Sequence, residues 1–120
     1  MSITADLIRG HTDIIILAAL MQGESYGYRI NRTMLDLTDG RYELKEATLY
    51  TAFRRLENLG YIRSYWGDET TGARRRYYAI TPGGRTAYRD MMREWREASD
   101  LLEKLMRFGN EGDVGGTEQI

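Results

Sequence analysis

The 120-residue sequence predicts a mainly α-helical domain with one small β-hairpin, continuing into a single long helix. Three observations predict it. Apolar residues recur at helical spacing through three early segments. Two short aromatic and β-branched runs flank a turn-forming stretch. A pattern alternating by four and three then persists from Tyr88 to Met106. The chain has no cysteine, which excludes disulfides and thiolate metal sites and suits a reducing compartment. Residues Met1 to Asp6 lack the basic-then-apolar order of a signal peptide. The longest apolar run, Ile14 to Met21, is eight residues, far short of the roughly 20 that span a bilayer. A cytoplasmic location is expected.

The first helix is expected from about Ala5 to Met21, capped by Thr4. Its second half, Ile14 to Met21, is apolar on every face and therefore needs cover on all sides. A small domain covers one side, so the remainder points to another subunit. Ser25 is the expected cap of a second helix, in which Tyr26, Ile30, Met34 and Leu37 form one buried face before Asp39-Gly40. The third helix, about Lys45 to Asn58, puts Leu49, Ala52, Phe53 and Leu56 on one stripe and stops at Gly60. Its opposite face carries Tyr50, Thr51, Arg54, Arg55 and Asn58, with Thr48 at the edge.

Tyr61 to Trp66 and Arg76 to Thr81 read as strands joined by the turn-forming Gly67 to Ala73. Thr81-Pro82 then starts the last helix, a capping hydroxyl followed by the only proline. Gly83-Gly84 weakens its first turn. Tyr88, Met92, Trp95, Ser99, Leu102 and Met106 form a seam close to that of a coiled coil, widened by Met91, Ala98 and Leu105. The 24 residues from Arg85 to Phe108 would extend about 36 Å, too long for the preceding domain to hide. Such a helix needs a partner. Residues 109–120, with four glycines and three acids, are expected to form a disordered tail.

The order helix, helix, helix, hairpin, long helix is that of a winged helix-turn-helix, here residues 1–80, followed by a dimerisation helix over 81–108. In that arrangement the third helix enters the major groove and the hairpin reaches the flanking DNA. The charge distribution agrees. The net charge is −1, yet residues 41–89 carry ten basic and five acidic groups, with an acidic excess on either side. Local patches decide whether a polyanion binds.

The stretch Lys45 to Glu57, KEATLYTAFRRLE, resembles the recognition helix of the PadR-like family of bacterial repressors. Ser64 to Glu69 and Gly72 to Thr81 resemble that family's wing, and Ile16 to Leu20 and Tyr26-Gly27-Tyr28 also match. The resemblance covers about residues 7–106. A single C-terminal helix places the chain with the short subfamily, which includes multidrug-sensing repressors whose dimer encloses an apolar pore.

The expected partner is double-stranded operator DNA, bound by a homodimer. Lys45, Thr48, Tyr50, Thr51, Arg54 and Arg55 are the candidate contacts on the third helix, and Arg74, Arg75 and Arg76 those on the wing. Arginine reads guanine edges bidentately, whereas hydroxyls more often hold phosphates. Successive strand residues point to opposite faces, so the three wing arginines cannot all reach DNA.

For a ligand, the resemblance implies Trp95, whose two copies in a dimer would stack a planar aromatic compound, with extra attraction for a cation. It further implies Leu7, Gly10, Ile14 and Ala18 on the first helix, and Tyr88, Met91, Met92 and Ser99 on the last. Ser99 stands where a relative can carry a pore-facing acid, and Asp13 or Asp100 would then supply the negative charge. On spacing alone, Trp95 and the methionines read as packing of the dimer core, and it is the resemblance that points to a ligand.

No catalytic constellation emerges. His11 is the sole histidine, the Asp68-Glu69 pair belongs to a turn, and Gly83-Gly84 lacks the rest of a phosphate-binding loop. No cofactor or metal is expected. The competing readings are a winged-helix protein-interaction adaptor and a repressor without a small-molecule ligand.

Overall fold

The computed structural model describes residues 3–67 and 74–118, and within them the side chains of 6–67 and 74–110. Two compact units divide the chain, Met1–Tyr88 and Arg89–Ile120. The elements are α1 (Ile3–Arg9), α2 (Thr12–Met21), α3 (Gly27–Leu37), α4 (Glu46–Asn58), β1 (Ile62–Trp66), β2 (Arg76–Ile80) and α5 (Pro82–Glu118).

In the first unit α2, α3 and α4 pack together, with α2 and α4 also against the hairpin. The core consists of Ile16, Leu17 and Leu20 from α2, Ile30 and Met34 from α3, and Leu49, Ala52, Phe53 and Leu56 from α4. Ile62 and Tyr78 add the hairpin's inner face, and Phe53 stacks on Tyr78 with ring centroids 3.8 Å apart. The apolar stretch of α2 is covered on one side only: Ile14, Ile15, Ala18, Ala19 and Met21 stay half-buried. The expected stripe of α4 is the buried one.

The single first helix expected from Ala5 is two helices. Glycine is a poor helix former, and at Gly10-His11 side chains take over the carbonyls that the ladder would have used. His11 Nδ1 donates to Leu7 O at 2.9 Å and Thr12 Oγ1 to Arg9 O at 2.9 Å. The ladder restarts with Ile15 N to His11 O. Thr4 lies inside α1 rather than capping it. Ser25 is not a cap either, because its backbone exchanges two hydrogen bonds with Tyr78 and Tyr26 becomes the N-cap of α3. This pairing ties the start of α3 to β2.

Asn31 of α3 donates to and accepts from the Leu44 backbone, both at 2.9 Å, and so fixes the loop that enters α4. Gly60, with φ of 81°, ends α4 as the left-handed residue after its last turn. The strands pair antiparallel with Ile62 opposite Ile80 and Trp66 opposite Arg76. Apart from Gly67, the turn expected at 67–73 and the pair Asp68-Glu69 lie outside the described residues.

The start of α5 is the expected one. Gly84 N donates to Thr81 Oγ1 at 3.0 Å, and Thr81 Oγ1 donates to Gly60 O at 2.7 Å. Gly84 is there for space: a Cβ would lie 2.0 Å from Tyr61 O. The glycine that costs helix propensity permits this close approach of helix to strand.

In the second unit α5 carries the ion pairs Arg93–Asp90 at 2.8 Å and Arg107–Glu103 at 3.0 Å. Its helical backbone extends to Glu118, past the end expected at Phe108, which corrects the expectation of a tail from Gly109 as far as Glu118. No proline interrupts this stretch, and adding residues to an existing helix avoids the nucleation penalty. Among the described residues no helix is long and apolar enough to cross a membrane.

Candidate nucleic-acid interface

Burial of Leu49, Ala52, Phe53 and Leu56 turns the other side of α4 to solvent. Lys45 is its N-cap and is exposed, as are Thr51 and Arg54; Thr48 is half-buried. Arg9, Tyr42, Lys45 and Thr48 line a shallow groove at the start of α4. Tyr50 is exposed but leans back. Its ring meets Phe53 edge-on at 5.5 Å, and its hydroxyl lies over Gly27, where a Cβ would sit 2.9 Å away.

Arg55 is exposed but engaged. Its Nε donates to Asp13 Oδ2 at 3.2 Å and its Nη2 to Asp13 Oδ1, a fork spanning α4 and α2. The hydrogen bond to Asp13 holds the guanidinium pKa above its ordinary value. Asp13 therefore already has a cation, which corrects the expectation that it stands ready to supply negative charge to a ligand.

The wing arginines divide between two aromatic rings. Arg74 and Arg76 lie 5.3 and 5.2 Å from the Trp66 centroid, while Arg75 lies 4.7 Å from that of Tyr26. Arg76 is half-buried: its Nη2 donates to Ser64 Oγ at 2.7 Å, and Ser64 Oγ donates to Glu57 Oε2 at 2.6 Å. Arg74 and Arg75 are exposed. Arg29 joins them from α3, also 4.7 Å from the Tyr26 centroid. Tyr26 meets Tyr77 edge-on, Tyr77 stacks on Tyr65, and the Tyr65 hydroxyl donates to Glu24. That carboxylate raises the Tyr65 pKa. A chain of three rings thus stiffens the hairpin and carries the Arg29 and Arg75 guanidiniums on Tyr26.

Sequence reasoning missed Arg29, whose position among polar neighbours on α3 gave no signal. Asp13 as the partner of Arg55, 42 residues away, was equally hidden. Among the described residues no group of three or more His, Cys, Asp or Glu side chains stands together to hold a metal.

The model of the PadR-like family of transcriptional regulators matches residues 16–90, more than half of the chain and all of the interface just described except Arg9 and Asp13. The chain belongs to the PadR-like family. It is similar to a transcriptional regulator of Clostridium thermocellum, with 48% identity and a TM-score of 0.78 over 86% of this chain and 97% of that one. A PadR family transcription regulator of Clostridium difficile is 31% identical, with a TM-score of 0.69 over 80% and 98% of the two chains. An uncharacterized protein of Lysinibacillus sphaericus is 38% identical over 104 residues, 87% of this chain and 95% of that protein. PadR-like regulators are non-enzymatic DNA-binding proteins, so the chain is a DNA-binding transcriptional regulator and not an enzyme.

The residues proposed for a ligand fall in both units. In the first, Leu7 and Gly10 are exposed, and Ile14, Ala18 and Tyr88 are half-buried. In the second, Met91, Met92 and Ser99 are half-buried and Trp95 is 43% exposed.

Proposed function

We propose that this PadR-like regulator is a repressor that binds a pseudo-palindromic operator as a homodimer and is released by planar aromatic ligands. The observation that carries the DNA reading is the two-sided build of α4. Its apolar stripe is locked in the core while Lys45, Thr51 and Arg54 face solvent beside the arginine-bearing wing. In this reading Arg54 reads a base edge, Lys45, Thr48, Tyr50 and Thr51 hold phosphates or neighbouring bases, and Arg74 and Arg75 grip the backbone from the wing. Arg55 and Arg76 are engaged within the protein.

Dimerisation is supported by α5, where Leu101, Leu105, Met106 and Phe108 are each at least 60% exposed in the single chain. A C2 pairing through the first and last helices presents two copies of α4 to successive major grooves, about 34–36 Å apart. The ligand is held between the two Trp95 rings, with Met91 and Met92 as adaptable walls. It releases DNA only by binding the two arrangements of the dimer unequally. A tenfold loss of DNA affinity corresponds to about 1.4 kcal/mol of coupling.

The test is fluorescence anisotropy with the DNA upstream of the protein's own gene against scrambled DNA, between about 50 and about 200 mM salt. Tight, salt-sensitive binding to the upstream fragment supports a specific reader, and equal weak binding to both refutes an operator there. Planar aromatic cations are then titrated into the complex. Release that survives Trp95→Ala refutes the stacking site, and absence of any release leaves a repressor without a ligand.

A further inference from the structure

Helix α4 carries two adjacent arginines of different standing. Arg54 points to solvent from the candidate interface, whereas Arg55 is gripped by a carboxylate of α2. We propose that Asp13 is the positioning residue of the recognition helix: it keeps Arg55 out of the DNA contacts and pins α4 to α2, and the pair stays closed on DNA. The proposal rests on the reading of α4 as the recognition helix.

Three observations support it. First, the pair is a fork, with Nε and Nη2 of one guanidinium edge on the two oxygens of one carboxylate. Two parallel bonds fix direction as well as distance, which a single charge contact does not. Second, the pair lies where α4 packs on α2. Leu56, the neighbour of Arg55, is buried, as are Ile16 and Leu17 of α2, so apolar packing sets the distance between the helices and the fork sets their rotation. Third, Asp13 is in the first turn of α2, where the helix dipole favours a carboxylate.

Opening the pair towards a phosphate would leave the Asp13 charge unpaired beside a second anion. That repulsion is absent while the pair is closed. Asp13 is also followed directly by Ile14, one of the residues proposed to face a ligand, so a rotation of α2 driven from that face turns α4 through the fork.

The experiment measures binding of the upstream DNA fragment by the full-length protein across the same salt range. The variants are Arg55→Gln, Asp13→Asn with Arg55→Gln, and Arg74→Gln. The expected result is that Arg55→Gln binds about fivefold more weakly, near the upper limit for a partly exposed ion pair, and keeps the salt slope of the parent. The double variant matches it. Arg74→Gln lowers the slope by about 0.9, the signature of one lost phosphate contact, which shows that the assay resolves such a loss.

A slope lowered by about 0.9 in Arg55→Gln would mean that Arg55 contacts DNA and would overturn the proposal, as would unchanged affinity. Thermal denaturation of Asp13→Asn, Arg55→Gln and the double variant tests the pair without DNA. Coupling between the two sites is expected, and additive losses refute the fork. If the parent protein itself ignores the upstream fragment, the operator reading fails while this cycle still decides the pair.

Discussion

Met106→Ser tests the dimer through a residue that is largely exposed in its own chain. Met106 lies on the seam of α5 and is 71% exposed in the single chain. Full burial of a methionine side chain is worth about 1.5–3 kcal/mol, so burying the exposed 71% against a partner is worth about 1–2 kcal/mol. A C2 interface counts the residue twice, giving about 2–4 kcal/mol for the pair. At 1.4 kcal/mol per tenfold, the dimer dissociation constant rises by about 30-fold to several hundred-fold. The isolated chain loses little, since surface substitutions away from caps and networks stay within about 0.5 kcal/mol. Sedimentation equilibrium over a range of protein concentrations reads the first quantity. Circular dichroism melts at concentrations where the variant is monomeric read the second. A dissociation constant within about threefold of the parent's, or a melt lowered as far as a core variant's, would show that the seam does not face a second copy.

Gly84→Ala places a Cβ 2.0 Å from Tyr61 O, a backbone atom that cannot swing away. It is expected to destabilise the first unit by about 3 kcal/mol, read by urea denaturation, whereas Gly83→Ala, with its nearest neighbour at 3.7 Å, is expected to be neutral or mildly stabilising. Arg29→Gln is expected to weaken binding of specific and scrambled DNA alike and to lower the salt slope by about 0.9, as one lost phosphate contact should. An unchanged slope would show that Arg29 serves the Tyr26 ring and not the DNA. Burial, opposed by nearby Arg76, raises the Tyr78 phenol above its ordinary value of 10.0. Its neutral form therefore contributes stability that is fully present below pH 10 and is lost as pH rises through the raised folded value. Melting temperatures between pH 9 and pH 11 are expected to fall more steeply for the parent than for Tyr78→Phe, and equal slopes would contradict this.

The elements that the sequence made legible are those whose signal is local. Leu49, Ala52, Phe53 and Leu56 announce a buried helix face by spacing alone, and Thr81-Pro82 announces a helix start because cap and proline act on the residues beside them. The break at Gly10-His11 was less legible. A glycine in a helical pattern is usually tolerated, and the decision came from His11 and Thr12 side chains capturing carbonyls of the preceding turn. Ser25 was misread for a related reason. Its type and place suit a cap, but its backbone was claimed by Tyr78, 53 residues on.

The same distinction separates the site's residues. Just before β2, Arg74 shares the Trp66 ring with Arg76 while Arg75 meets Tyr26, the division that alternation along an extended chain predicts. Alternation could not show that Arg76 would be drawn inward by Ser64 and Glu57, nor that Arg55 would find Asp13. These pairings depend on which helix lies beside which. They matter for function because an arginine-rich surface binds DNA with all its free charges, whereas a reader needs some of them withdrawn. Of the two arginines on α4 and the three that lead into β2, Arg55 and Arg76 are held by protein oxygens, while Arg54, Arg74 and Arg75 are exposed. Each withdrawn arginine stiffens an element that carries an exposed one: Arg55 is the neighbour of Arg54 on α4, and Arg76 fastens to β1 the strand that follows Arg74 and Arg75. In the proposed reading, placement of the contacts and suppression of excess charge are performed by the same side chains.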